Sequence, residues 1–352
     1  MISFYPGPSR VDQNIPEYVY DAYHTGILSI NHRSRKFTQL CRETIELLKK
    51  KLVIPEDYTI VFTSSATECW EIIAQSLTDE HSYHFYNGQF GQKWFNYTKK
   101  LKYHAIGYQF GASNELKTAE IDLSSEAGTI CITHNETSNG TQVSVPRIAK
   151  LRSKYPDHLI AVDATSSMAG VFLDFKQADI WFTSVQKCFG LPAGMAIMIC
   201  SPAAIKTASE IQENKHYNSF NFLVENIQKY QTPYTPNVLN IYLLNRVMAE
   251  RKRIDKIEKR IHKRREAYEE IIINSSRFSL HVSNKHVRSD TVIVVEGKPE
   301  DIVSIKKKAE KAGFTLGNGY GQLKDTTFRI ANFPSLKKNE VKDLRAFLKK
   351  NV

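Results

Sequence analysis

Between residues 59 and 200 the chain repeats one pattern: a short, apolar, often β-branched run that closes on small polar residues. Thr59-Ile60-Val61-Phe62, Gly128-Thr129-Ile130-Cys131-Ile132 and Leu159-Ile160-Ala161-Val162 are three of these runs. Asp179-Ile180-Trp181-Phe182 and Ala196-Ile197-Met198-Ile199 are two more. Runs this short and apolar read as strands buried on both faces. Helical stretches separate most of them, and strands joined by helical crossovers build a mainly parallel sheet. The runs around Trp181 and Met198 lie too close for a crossover, so one of them is expected to be antiparallel to its neighbour. Beyond them, 236–274 reads as almost wholly helical. Strands at 278–282 and 291–297, a helix from Pro299, a strand at 327–332 and a closing helix at 336–350 then describe a small α+β unit. No internal repeat, low-complexity segment or flexible linker interrupts the chain.

Charge and cysteine usage narrow the class of protein. No apolar run approaches the ~18 residues that a membrane-spanning helix needs, and Met1-Ile2-Ser3-Phe4-Tyr5-Pro6 has no basic segment followed by an apolar one. The five cysteines are odd in number, widely spaced and mostly in apolar surroundings. They read as reduced, buried thiols of a cytoplasmic protein, without a disulfide frame or metal-ligand spacing. The net charge of +11 is concentrated in 251–265 and in the lysines of 305–311 and 337–350. Ile254, Ile257 and Ile261 sit at helical spacing among the first group of charges, which reads as a solvated amphipathic helix. No aromatic interleaving or nucleic-acid motif accompanies it, so neither nucleic acid nor membrane is an expected partner. A basic surface also steers anionic small molecules.

In open α/β sheets, ligands bind beyond the carboxyl ends of the strands. Four such ends carry concentrated polar chemistry. The first, Thr63-Ser64-Ser65-Ala66-Thr67-Glu68, opens an apolar helix and offers free backbone N–H groups for a phosphate; the same residues would equally serve as an N-cap completed by Glu68. The second is Thr133-His134-Asn135-Glu136-Thr137-Ser138-Asn139-Gly140, denser in polar groups than a turn requires. The third begins with Asp163, which leaves the run Leu-Ile-Ala-Val and needs a cation or donor to stay ionised; it reads either as a turn cap or as the partner of a ligand's positive charge. The fourth holds Lys187 in a Gly/Pro/Ala-rich stretch between apolar strands, whereas most other lysines fall on helical polar faces. Burial there lowers an amine's pKa and makes it a nucleophile.

A lysine that bonds an aldehyde, an acid for a ring nitrogen and a phosphate site at a helix start are together the requirements of pyridoxal 5'-phosphate. Asp163 precedes Lys187 by one crossover's worth of chain. In these features the chain resembles the class V (fold type I) pyridoxal-phosphate aminotransferases, most of all the phosphoserine aminotransferase branch, nearly end to end. The resemblance implies a large domain at 13–245 with a mainly parallel seven-stranded sheet, and a smaller α+β C-terminal domain formed by 246–352 with 1–12. It implies a homodimer with shared active sites, and a set of residue roles. Lys187 carries the cofactor and Asp163 meets its ring nitrogen. Phe90, in Gly88-Gln89-Phe90-Gly91, stacks on the ring, and Thr137, in Asn135-Glu136-Thr137, bonds its phenolic oxygen. Ser64, Ser65, Ala66, Ser166 and Gln186 complete the cofactor site, with Gln231 and Thr232 reaching the neighbour's phosphate. Gly7 lies beside the substrate, His32 and Arg33 hold its phosphate, and Arg329 clamps its α-carboxylate, a task suited to a bidentate guanidinium.

Three positions depart from that branch. Its glycine-rich turn with an Arg is here Ser64-Ser65-Ala66-Thr67, its His before the carboxylate Arg is replaced around Gln322, and its interface Asn is Gln231. The resemblance implies transfer of an amino group from glutamate to 3-phosphohydroxypyruvate, giving phosphoserine in serine biosynthesis. A class V enzyme of alanine–glyoxylate or serine–glyoxylate type, or a class V lyase, would use the same Lys187. A dinucleotide site is disfavoured, because Gly317-Asn318-Gly319-Tyr320-Gly321 precedes a strand rather than a helix.

Overall fold

The computed structural model describes residues 1–102, 104–123 and 128–352. Its strands, in chain order, are β1 (Ile2–Phe4), β2 (Thr59–Thr63), β3 (His81–Tyr86), β4 (His104–Gln109) and β5 (Thr129–Thr133). A short hairpin, β6 (Asn135–Glu136) and β7 (Thr141–Gln142), precedes β8 (Leu159–Asp163), β9 (Ile180–Ser184) and β10 (Ala196–Cys200). The last four are β11 (Phe278–Leu280), β12 (Val292–Gly297), β13 (Phe314–Asn318) and β14 (Thr327–Ala331). The helices are α1 (Ile15–His24), α2 (Arg35–Leu52), α3 (Ala66–Ser76), α4 (Gln89–Leu101), α5 (Val145–Lys154) and α6 (Pro202–Ile211). They continue with α7 (Phe220–Ile227), α8 (Val238–Glu250), α9 (Ile254–Ile273), α10 (Pro299–Lys311) and α11 (Lys338–Asn351).

The larger sheet has seven strands in the order β2-β10-β9-β8-β5-β3-β4. Neighbours from β9 to β4 pair in parallel, and β10 is antiparallel to both β9 and β2. The antiparallel strand expected beside Trp181 is therefore β10. All five apolar runs became strands buried along nearly their whole length. Two strands of this sheet went unanticipated, β3 and β4. The sequence of β3, His-Ser-Tyr-His-Phe-Tyr, looks polar, yet Ser82 and His84 are buried inside the sheet. Strand β4 lies on the edge and exposes much of its length, so it needs no apolar run.

The smaller sheet runs β1-β13-β14-β12-β11. Only β1 and β13 pair in parallel, which joins the first residues of the chain to its last hundred. Strand β13 is a correction to the expected succession, because its closing Gly317-Asn318 hides it among turn-forming residues. The expected helical stretch 236–274 holds two helices, parted between Glu250 and Ile254. On α9, Ile254, Ile257 and Ile261 are buried against the larger core as their spacing implied. That helix is not wholly solvated on its charged positions, since Arg264 is buried and donates to the carbonyls of Phe333 and Leu336.

All five cysteines are free and buried. Among the described residues no helix is long and apolar enough to cross a membrane.

Candidate active site

The carboxyl ends of β2, β5, β8 and β9 open into one cavity of about 330 Å³. Ser65, Ala66, Phe90, Thr137, Asp163, Gln186 and Lys187 line it, seven of the residues that the sequence singled out. The parallel register explains the convergence. Thr133 of β5 stands opposite Asp163 of β8, which stands opposite Phe182 of β9. The chain leaving β9 then needs only a few residues to bring Lys187 over the same rim.

Lys187 is 8% exposed, and its Nζ donates to Thr137 Oγ1 at 3.2 Å. Thr137 Oγ1 in turn donates to Ser166 Oγ at 2.9 Å, and Asn135 Nδ2 donates to the same oxygen at 2.8 Å. Ser166 thus stands behind the cavity wall and holds Thr137 in place. Burial lowers the pKa of the Lys187 amine, against the opposing pull of the Asp163 and Glu136 carboxylates. Asp163 is 5% exposed, and burial raises its pKa while Thr165 and the Lys187 charge oppose the rise. Thr165 N donates to Asp163 Oδ1 at 2.9 Å, so the acid also orders the turn that follows it. Cys188, next in the chain, is no rival nucleophile, because burial pushes its thiol up to about 12.

At the start of α3, Ser65 Oγ accepts from Glu68 N at 3.1 Å. Ala66 and Thr67, first in the helix, line the cavity, and their amides have no intrahelical partner. Ser64 points elsewhere: its N–H and its hydroxyl both donate to Glu68 Oε2 at 2.6 Å. The helix is thus capped, and two of its amides are still available to an anion.

Phe90 sits in the first turn of α4, with Lys187 Nζ 5.3 Å from its ring centre. Its position depends on a residue whose role the sequence did not disclose. Glu136, 1% exposed, accepts from Phe90 N and Gly91 N through Oε2, both at 3.1 Å, and from Ser138 N at 2.9 Å through Oε1. A buried carboxylate thereby anchors the positive end of α4. Only the separation of 46 residues between donor and acceptor hid the contact. Gly7 packs directly on the lysine, since a Cβ there would stand 3.0 Å from Lys187 Cε. Ser9 secures that approach by donating its N–H and hydroxyl to the Gln186 carbonyl.

Arg329, 4% exposed on β14, donates through Nη1 to the Thr137 carbonyl at 2.9 Å and through Nε to the Asn318 carbonyl at 2.6 Å. Burial lowers its pKa. Among the described residues it forms no ion pair, and Tyr5, Tyr320 and Glu136 oppose the effect of burial on its charge. The remaining sequence candidates lie apart from the cavity of their own chain. Arg33 is exposed and donates to Gln231 Oε1 at 2.7 Å. Thr232 is buried and donates to the Tyr234 carbonyl. His32 is half-buried, with burial and the neighbouring Arg33 lowering its pKa.

A further observation bears on the cofactor. Thr133 Oγ1, Ser184 Oγ and Gln186 Oε1 are buried without a hydrogen-bond partner, and all three residues line this cavity. Buried polar atoms are normally paired, so their concentration here marks a place shaped for a polar ligand. The donors at Ala66 and Thr67, the acid at Asp163, the amine at Lys187 and the ring of Phe90 fit pyridoxal phosphate.

The family model described as aminotransferase class-V matches residues 6–318. A phosphoserine aminotransferase from Cytophaga hutchinsonii has a crystal structure that superposes with a TM-score of 0.95 at 34% identity, covering 100% of this chain and 99% of that one. A phosphoserine aminotransferase from Rhodococcus opacus is 30% identical over 246 residues, 68% of this chain. The match spans 64% of that relative's own length. An uncharacterised aminotransferase from Methanocaldococcus jannaschii is 28% identical over 353 residues, 96% of this chain and 88% of the relative. With a match from residue 6 to residue 318 and a lysine, an acid and a helix start gathered at one sheet rim, the chain belongs to the aminotransferase class-V family.

Proposed function

We propose that this protein is a pyridoxal-phosphate-dependent transaminase whose substrates are small amino and keto acids, with glutamate as donor and 3-phosphohydroxypyruvate as acceptor. The products would be 2-oxoglutarate and phosphoserine, which places the reaction in serine biosynthesis. The observation that carries the reading is Lys187, a buried amine with a lowered pKa that shares its cavity with a buried acid. The names of the relatives from Cytophaga hutchinsonii and Rhodococcus opacus support the choice of substrate.

The chemistry that pyridoxal phosphate supplies when bound is an electron sink for the substrate's Cα. The rest is the work of this chain. The Ala66 and Thr67 amides would hold the phosphate, Phe90 would fix the plane of the ring, Gly7 would lie beside the substrate, and Asp163 would face the ring nitrogen and favour its protonated form. Arg329 takes the substrate's α-carboxylate in place of the bulk water from which it is shielded. Lys187 Nζ would take up the proton released at Cα and hold it for return, a task that a lowered amine pKa suits. Thr137 keeps Nζ pointed into the cavity between those two transfers. His32, Arg33, Gln231 and Thr232 lie outside their own chain's cavity, so in the homodimer we propose they serve the partner's site. There His32 and Arg33 would meet the substrate's phosphate, and Gln231 and Thr232 the cofactor's.

The turn Ser64-Ser65-Ala66-Thr67 carries no cation, which favours as a second reading a class V transaminase for an acceptor without phosphate. Reductive trapping of the purified protein followed by peptide mapping tests the cofactor, with the label expected on Lys187. Initial rates with glutamate and 3-phosphohydroxypyruvate should give the parallel lines of a ping-pong scheme. Faster turnover of hydroxypyruvate or glyoxylate than of the phosphorylated acceptor would select the second reading.

A further inference from the structure

From the mouth of the Lys187 cavity, we infer that Lys93 is a specificity residue that binds a second anionic group on the substrate, opposite the α-carboxylate. The inference rests on the transaminase reading for the identity of the reactants, though not for the geometry. Lys93 lies one turn after Phe90 on α4 and lines the same cavity as Lys187 and Asp163. Its Nζ donates to the hydroxyl of Tyr320 at 2.6 Å, across 227 residues of sequence. Tyr320 stacks on Phe90 with ring centres 5.1 Å apart. One phenol therefore fixes the lysine and backs the aromatic ring of the site.

Two cations flank that phenol. Lys93 Nζ is 5.1 Å from the ring centre of Tyr320, and Arg329 Cζ is 5.4 Å from it. The two charges are no further apart than those distances laid end to end, a span that one small dianion bridges. Neither cation has an ion-pair partner among the described residues, although Arg10, Arg246 and Arg288 elsewhere each meet a carboxylate. An ammonium that spends one N–H on a phenol keeps two for an anion. Asp163 lines the cavity and Glu136 offsets part of the Arg329 charge, but neither pairs with Lys93 or Arg329, so two like charges that repel each other in the empty cavity favour a ligand carrying two negative charges.

The segment bearing Tyr320 lies close against the start of α4. Gly321 has φ of +56°, and a Cβ there would stand 3.2 Å from the side chain of Gln89, at the start of α4. The loop is thus seated on the same helix end that carries Phe90 and Lys93. The ligand class follows: amino or keto acids with a far-end carboxylate or phosphate, bound by Arg329 at one end and Lys93 at the other.

The test measures binding by calorimetry on the holoenzyme, using inert analogues so that turnover is not needed. Glutarate and 3-phosphoglycerate carry two anionic groups; butyrate and glycerate carry one. Lys93→Met should weaken glutarate or 3-phosphoglycerate about tenfold, the scale of one charge-assisted hydrogen bond, and leave the two monoanions as they were. Lys93→Arg should retain the preference, and Tyr320→Phe should lose about threefold in the same direction. Loss confined to glutarate assigns a carboxylate to the far end, and loss confined to 3-phosphoglycerate assigns a phosphate. Equal weakening of dianions and monoanions, or none at all, overturns the inference, because Lys93 would then be a strut for α4. Lys93-dependent binding in a protein that transaminates nothing would leave the inference standing and remove the transaminase reading.

Discussion

The two ends of the proposed site are built in opposite ways. At the cofactor end, Lys187, Asp163, Thr137, Ser166 and Glu136 are all buried in one chain and tied to each other or to backbone. At the far end, Arg33 is exposed and its hydrogen bond to Gln231 joins two side chains outside the cavity. A buried network that is fully bonded is stiff, and any gap in it is costly. An exposed pair contributes little to stability and is free to exchange partners. In the proposed reading the reaction chemistry is fixed by the sheet, while the choice of the substrate's far-end group is left to residues that can change without unfolding the protein.

The largest effect expected from that contrast lies at Lys187. In the proposed mechanism Lys187→Ala removes the amine that moves the proton, and steady-state kcat should fall by roughly 10²- to 10⁴-fold. The apoprotein should remain folded, since alanine removes a buried group that favours its neutral form. Retention of more than a tenth of the wild-type rate would break the contrast at its strongest point.

Glu136 tests the same end through stability. Glu136→Ala leaves the Phe90, Gly91 and Ser138 amides without their acceptor, and should cost roughly 3 kcal/mol in urea unfolding. Glu136→Gln keeps a carbonyl oxygen for part of that set and should lose less. If both variants unfold like the wild type, the anchor of α4 lies elsewhere.

These two residues also differ in how well the sequence announced them. Lys187 and Asp163 were legible because a charge stands out at the end of an apolar run, where burial is already implied. Glu136 sat in a motif that drew attention, but its bond to α4 depends on how the 136–140 turn folds back over the helix start. The same distinction runs through the fold. Strands β2, β5, β8, β9 and β10 were readable from apolar runs alone. Strand β3 was not, because its buried Ser82 and His84 carry no apolar signal. Strand β13 was hidden by its Gly317-Asn318 end, where the glycine leaves room for Pro6. Lys93 and Tyr320 could not have been paired in advance, since neither is unusual until the two sheets are packed together.

A smaller effect follows from the lowered pKa of Lys187. Between that value and the ordinary lysine value of about 10.4, the unfolded chain binds a proton at this position that the native protein does not. The contribution of Lys187 to stability must then rise with pH across the window. Comparing cofactor-free wild type with Lys187→Met by urea unfolding between about pH 7 and 10 isolates it. The variant's advantage should be greatest at the lower end and shrink toward the upper. The raised pKa of Asp163 acts in the opposite sense, with stability lost as pH rises from the ordinary carboxylate value through its folded one. A constant difference across the range would mean that Lys187 keeps its proton in the fold, and the two ends would then be less unlike than their burial suggests.

The smallest effect is at the exposed end, and it also tests the proposed dimer. Arg33→Ala should raise KM for the phosphorylated acceptor about tenfold, in keeping with one lost charge-assisted contact, with kcat and stability little changed. The arrangement across two chains makes a sharper demand. In a mixed dimer of Arg33→Ala with Lys187→Ala chains, one site would combine the intact Lys187 of the first chain with the intact Arg33 of the second. That hybrid should recover close to half of the wild-type rate at low acceptor concentration, where the Arg33→Ala homodimer is slow and the Lys187→Ala homodimer is silent. If Arg33 instead served the cavity of its own chain, the only active site in the hybrid would lack the guanidinium, and the raised KM would persist. Recovery thus requires Arg33 to be drawn from the other subunit, whereas Lys187, Asp163 and Thr137 line the cavity from one chain.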